Sequence, residues 1–253
     1  MRRVETVPVA VRADVATQTA RALVRVREML LKGEVARGER ISELPLVARL
    51  GMSRTPIRLA LERLAHVGLL EAMPAGGFTV REFTLAEVHD AIEVRGVLEG
   101  TAARLAAERL LHPSELDHLR TLCAEMEAFH QLTVASLPLY MDANEAFHAA
   151  ILDLSKSGML RRTLQITNSL PFASPSAMVF PTAVLAGSDQ TLAIAQEHHR
   201  AILTAIATRQ GTRAEALARE HALMAKGVLE IALSDRDALS RVPGGSLINV
   251  SVR

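Results

Sequence analysis

Arg54 and Arg58 stand four residues apart in the run Ser53-Arg54-Thr55-Pro56-Ile57-Arg58, a spacing that puts both guanidinium groups on one face of a helix. An arginine so placed offers a fork of donors that matches the two acceptors on the major-groove edge of guanine. Ser53 suits the N-cap of such a helix. Pro56 falls in its first turn, where a missing N–H has no intrahelical partner to lose. The result is a short helix with a cationic N-terminal end, the form in which a recognition helix enters DNA. A solvated helix face carries such arginines too, so the flanking elements must decide between the two.

A second constellation is made of nitrogen and oxygen donors. His199 lies 12 residues before Gly211 and His221 lies 10 after it. If the chain turns at Gln210-Gly211, the two imidazoles sit at nearly the same depth in a helical hairpin. Asn144 and His148 are four apart and share a helix face. Four donors from three helices then have one interior point in common, which is where helical bundles hold metal ions. A single helical histidine is more ordinarily a surface or hydrogen-bonded residue. His66, His89, His112, His118 and His130 are read that way, and His198 as the outward neighbour of His199.

The elements around the arginine pair predict a winged helix over 17–82. Ala22, Val26, Met29 and Leu30 give a helix its apolar stripe. Gly33 and Gly38 punctuate the connection, Ser42 caps a second helix carrying Leu44, Val47 and Leu50, and Gly51 breaks it. That order of helix, glycine turn and helix is the helix-turn-helix arrangement. Gly68 stops the third helix. Residues 69–72 and 78–81 read as strands around the tip Pro74-Ala75-Gly76-Gly77. Gly76 and Gly77 either let a wing approach the DNA backbone or only satisfy a turn that needs positive φ. Residues 17–82 hold 11 Arg/Lys against 7 Asp/Glu, a net +4, while the whole chain is +1. The positive charge is concentrated where phosphate contacts are needed. With Gly38-Glu39-Arg40-Ile41-Ser42-Glu43, Leu50 to Arg58, Leu64 and Gly68-Leu69, this region resembles the DNA-binding domain of the GntR transcription regulators. It departs at Leu59, where that family often has Glu. The resemblance implies DNA contacts from Ser53, Arg54, Thr55, Arg58 and the wing at Gly77.

After residue 82 the patterning is helical throughout, and no strand is expected. Thr84-Leu85-Ala86-Glu87 fits a capping box and opens a helix to about Leu110, leaving 82–84 as the linker. Further helices are predicted after His112-Pro113-Ser114, over about 137–154, 159–170 and 189–209, and from a second capping box at Thr212-Arg213-Ala214-Glu215 to about Leu233. Pro171, Pro175 and Pro181 make 171–188 the least regular stretch. The expected fold is mainly α: an N-terminal winged helix-turn-helix followed by an all-helical antiparallel bundle over 83–236. Residues 1–16 and 237–253 read as weakly ordered tails.

Asp90, Arg95, Leu98-Glu99, then Asn144-x-x-Phe147-His148, then His199-x-x-Ile202-x-x-Ala205-Ile206, then His221, resemble the FCD effector domain of FadR-type GntR regulators. That resemblance implies a divalent metal, Zn²⁺ with Ni²⁺ or Mn²⁺ as alternatives, held by an Asp and three His and completed by a small carboxylate effector. The Asp position is Asn144 here, so the donors are Asn144, His148, His199 and His221. An amide oxygen still coordinates but brings no charge; a metal-free site in which these groups hydrogen-bond the effector is the alternative. Arg95 is a candidate for the effector's carboxylate, or else an i,i+4 partner of Glu99.

At 253 residues the chain allows one large or two modest domains. It is 49% hydrophobic and 23% charged, with aromatics at 3%, no Trp and the single Cys123. One cysteine forms no internal disulfide, and a reducing, cytoplasmic setting follows as the expectation. Cys123 reads as a small core residue. Neither a signal peptide nor a membrane span is expected. The function expected is a DNA-binding regulator, most simply a repressor, working as a homodimer on a palindromic operator under control of a carboxylate metabolite. A metal-dependent hydrolase with an accessory DNA-binding domain is the alternative, since three histidines and an open position can activate water. Against it stand the missing HExxH, P-loop and dinucleotide motifs, and no enzyme activity is expected.

Overall fold

The structure is a computed structural model and describes residues 9–133, 135–170, 172–176, 188–234, 239, 242 and 244–250. The chain forms two compact units, one of residues 1–83 with 246–249 and one of 84–245 with 250–253. Each holds its own core.

In the first unit, α1 (Val9–Leu31), α2 (Glu43–Leu50) and α3 (Arg54–His66) form the helical part. α1 buries Ala22, Val26, Met29 and Leu30, the predicted stripe, against α3, which contributes Ile57, Ala60, Leu61 and Leu64. The helix begins earlier than the residue 17 boundary, at Val9. Gly51 closes α2 in the left-handed region at φ 65, a conformation that costs glycine nothing. Three strands make the wing sheet: β1 (Arg40–Ile41), β2 (Leu70–Ala72) and β3 (Phe78–Val80). The order is β1-β3-β2 and both pairings are antiparallel, with Glu71 opposite Thr79 and Arg40 opposite Thr79 from the other side. β1 was not expected; two residues are too few to show alternation.

Two further expectations need correction. Residues 83–84 form β4 (Phe83–Thr84) instead of a plain linker, and β5 (Ile248–Asn249) pairs with it. The C-terminal stretch is therefore not a loose tail throughout. Leu247 and Ile248 are buried, and Arg37 donates to the Ile248 carbonyl. Strands of two residues leave no period in a sequence, and their partner is supplied by chain far away.

Beyond Thr84, the described elements of the second unit are helical: α4 (Leu85–Arg109), a 3₁₀ turn (Pro113–Leu116), α5 (Asp117–Glu127), α6 (Leu137–Leu154), α7 (Gly158–Ser169), α8 (Ser188–Ala207) and α9 (Gly211–Ser234). Thr84 caps α4 with both bonds of the box, Glu87 N–H to its hydroxyl at 3.2 Å and its own N–H to Glu87 at 2.9 Å. α4 packs along α9 and also touches α6, α7 and α8. Gly96 and Gly100 make the α4–α9 approach possible. A Cβ on Gly96 would meet Ala222 Cβ at 3.3 Å, and one on Gly100 would meet the Glu215 carbonyl at 2.8 Å. The α8–α9 turn differs in detail from the expectation. Arg209, at φ 58, takes the left-handed position, and Thr212 lies inside α9 instead of capping it. Gly211 packs against the side chains of Arg104 and Glu108, and a Cβ there would sit 3.2–3.3 Å from them. Cys123 is buried in the core, and burial pushes its thiol up to about 11. The expected irregularity of 171–188 falls largely outside the described residues, and among the described residues no helix is long and apolar enough to cross a membrane.

Candidate DNA-reading face and metal centre

α3 divides cleanly by burial. Pro56, Ile57 and Ala60 face the core, while Ser53, Arg54, Thr55 and Arg58 are exposed. The buried positions anchor the helix so that its first turns present a polar, cationic surface. Ser53 stands at the N-cap with extended backbone, but its side chain makes no capping bond. Ser42 likewise does not cap α2 through its side chain. Arg58 lies 3.8 Å from Glu62, both more than half exposed. Such a pair is worth roughly 0.3–0.5 kcal/mol, less than the ~1–3 kcal/mol of a bidentate base contact, so it restrains Arg58 only weakly. At the wing tip Gly76 and Gly77 have φ of 83 and 85, and Arg40 donates to the Gly76 carbonyl at 2.8 Å. A side chain on Gly76 would meet nothing within 4 Å. The tip is open, and its glycines are required by backbone conformation.

In the second unit α6, α8 and α9 bring His148, His199 and His221 together, with a ring nitrogen from each within 4.8 Å of the others. The His199 and His221 Nε2 atoms are 3.0 Å apart. His148 stacks beside His221 at 5.2 Å between ring centroids, and Phe147 packs against His199 at 4.7 Å. Burial drives the pKa of His199 and of His221 well below the ordinary value, and neighbouring imidazoles push each the same way. Both rings are therefore neutral, the form that ligates a metal. Asn144 is 3% exposed. Its amide donates to Ser176 Oγ at 3.3 Å, and Ser176 donates in turn to the Met141 carbonyl at 3.0 Å. Spending the amide nitrogen this way leaves the Asn144 oxygen as its accepting atom. Asn144, His148, His221 and Arg95 line one cavity of about 70 Å³, room for several waters or a small molecule.

The three clustered imidazoles are borderline ligands suited to Zn²⁺ or Ni²⁺, and Asn144, whose amide oxygen is a harder donor, lines the same cavity as His148 and His221. His148 Nε2, buried and with no hydrogen-bond partner in the protein, is an accepting atom that a cation would satisfy.

Arg95 is 3% exposed. Its guanidinium donates to the Ser174 carbonyl at 2.6 Å and the Ala222 carbonyl at 3.0 Å, and its Nε lies 3.9 Å from Glu99. The guanidinium thus borders the cavity while tying α4 to α9 and to residues 172–176. His198, expected to point outward, is half-buried with its ring 5.9 Å from that of His221. Two contacts of the site had escaped sequence reasoning. Glu99 Oε2 lies 3.3 Å from His148 Nδ1. Burial would raise the Glu99 pKa, yet its contacts with His148 and Arg95 prevail and hold it at about 2. Ser176 orients Asn144 from a stretch with no periodic signal.

The chain matches two family profiles: the gntR family of bacterial regulatory proteins over residues 18–80, and the FCD domain over residues 90–223. Among curated relatives, the Nta operon transcriptional regulator of Aminobacter aminovorans is 34% identical over 137 residues, 54% of this chain and 63% of that protein. The "Probable D-xylose utilization operon transcriptional repressor" of Paenarthrobacter nicotinovorans is 29% identical over 178 residues, 70% of this chain and 73% of that protein. The alignment with the first of these spans less than two thirds of its length. Among solved structures, E. coli McbR/YncC shares the fold, with a TM-score of 0.59 at 24% identity over 86% of this chain and 98% of that one. None of these matches supports the hydrolase alternative, and they point to a regulator instead of an enzyme. The chain belongs to the gntR family of bacterial regulatory proteins, as a member that carries an FCD domain behind its winged helix-turn-helix.

Proposed function

We propose that the chain binds a palindromic operator as a homodimer and releases it when a small carboxylate enters the helical unit. The division of α3 into a buried anchor and an exposed Ser53-Arg54-Thr55…Arg58 face supports the DNA half of the reading more than any other observation. Arg54 and Arg58 read bases, while Ser53, Thr55 and the wing at Gly77 meet the phosphate backbone. Two-fold symmetry of the protein then requires two half-sites. The test is a binding titration of wild type and Arg58→Ala on operator and on random DNA; equal losses on both would remove Arg58 as a base reader.

The sensing half of the reading uses Asn144, His148, His199 and His221 as donors to a divalent metal, Zn²⁺ before Ni²⁺ or Mn²⁺. A bound metal would supply a fixed positive charge facing the cavity. With three neutral imidazoles and an amide, that charge stays unneutralised and favours an anionic ligand. Arg95 lies at the cavity wall to meet the same carboxylate. The ligand lowers operator affinity only by as much as it prefers the non-binding state. Repression relieved by the effector is the working sign, in line with the repressor named among the relatives. A regulator of operators acts in the cytoplasm, where its DNA is.

A further inference from the structure

We propose that Glu99 is a positioning residue for the metal donor His148, supplying from behind the imidazole the negative charge that Asn144 cannot place on the metal directly. This rests on the metal reading above and adds a residue to it. Glu99 is itself buried, 7% exposed. Its two carboxylate oxygens face two different groups at ion-pair distance, Oε1 3.9 Å from Arg95 Nε and Oε2 3.3 Å from His148 Nδ1. Oε2 is a buried acceptor that makes no hydrogen bond among the described residues, so a proton on His148 Nδ1 is the donor within reach of it. Arg95 is in turn fixed by two backbone carbonyls, so the carboxylate does not swing freely.

A carboxylate at Nδ1 selects the tautomer with its proton there and leaves the Nε2 lone pair for coordination. Nε2 is the atom of His148 that is buried without a partner. The same carboxylate makes the imidazole a stronger donor. That matters in this donor set, because an amide and three neutral rings cancel none of a divalent ion's charge. Among the ion pairs of the described residues, Glu99–His148 is the one that reaches the histidine cluster. A glutamate present only to balance Arg95 would have no reason to turn its second oxygen to His148.

The test uses the full chain with Zn²⁺ or Co²⁺ alone. Zinc affinity is measured by competition with a chromophoric chelator, and the visible absorption of the Co²⁺ form reports the donor field. Glu99→Gln keeps the shape, removes the charge and should lose about 10- to 100-fold in affinity. Asn144→Asp should bind more tightly than wild type, and in the double variant it should restore most of what Glu99→Gln lost. Nitrogen-15 NMR of labelled histidine in the zinc-loaded wild type should show His148 bound through Nε2 with Nδ1 protonated. That arm needs no variant to fold and decides alone if Glu99→Gln does not. Unchanged affinity and an unchanged cobalt spectrum for Glu99→Gln, or coordination through Nδ1, would overturn the proposal while leaving the metal reading standing. A wild type that binds neither metal would overturn both.

Discussion

Gly100→Ala adds one methyl group at the place where α4 and α9 lie closest, and its effect can be worked out against an internal control. The new Cβ would sit 2.8 Å from the Glu215 carbonyl, and ordinary contact begins at 3.4 Å, so the two helices must part there by about 0.6 Å. The obstacle is backbone inside a helix and cannot rotate away. Overpacking of this kind costs about 1–3 kcal/mol, against a helix-propensity gain of roughly 1 kcal/mol for Ala over Gly. Gly227 sits on the exposed side of α9, with nothing within 4 Å of its would-be Cβ. Gly227→Ala collects the same gain without the clash. Comparing the two variants cancels propensity and leaves the steric cost alone. At ~2–4 °C per kcal/mol for a chain of this size, thermal unfolding followed by circular dichroism should place Gly100→Ala about 2–12 °C below Gly227→Ala. The site should feel the change as well. Glu99 adjoins Gly100 and His221 rides on α9, so zinc affinity should fall in Gly100→Ala and not in Gly227→Ala. Equal melting points for the two variants would refute the claim that Gly100 is there to admit the Glu215 backbone.

Other consequences are quickly checked. Arg58→Ala should cost roughly 1–3 kcal/mol on the operator and much less on random DNA, read by anisotropy at fixed salt. His199→Ala should abolish the shift in melting point produced by Zn²⁺ while sparing DNA binding by the metal-free protein; loss of DNA binding as well would mark a structural histidine. Cys123, with its thiol pushed up to about 11 by burial, should react with a thiol reagent at pH 8 far more slowly in the native protein than in the unfolded chain.

Much of the architecture was legible because local signals agreed with one another. α6 runs from Leu137 to Leu154 as its apolar spacing indicates, and the Thr84 box caps α4 with both of its bonds. Gly51 and Gly68 end their helices in the left-handed region. The histidine convergence was legible for a geometric reason: equal distances from a turn place two residues at equal depth, and His199 and His221 do meet. What stayed hidden depends on chain distant in sequence. β1, β4 and β5 are each two residues long, and only their partners define them. Ser42 and Ser53 look like caps, but their side chains make no capping bond. The contact of Glu99 with His148 joins residues 49 apart, and no spacing rule on α4 reveals which face α6 will meet. Gly211 reads as a turn glycine, whereas Arg209 takes the left-handed position and Gly211 lies inside α9 against Arg104 and Glu108.

The most direct test of the account is the specificity of DNA binding. A palindromic site would be selected from a random pool with the full-length protein, and its affinity compared with a scrambled duplex at physiological salt. A sequence-reading α3 predicts the selected site to bind at least about 10³-fold tighter, with most of that ratio lost in Arg58→Ala. Equal affinity for selected and scrambled DNA, or a ratio untouched by Arg58→Ala, would contradict it.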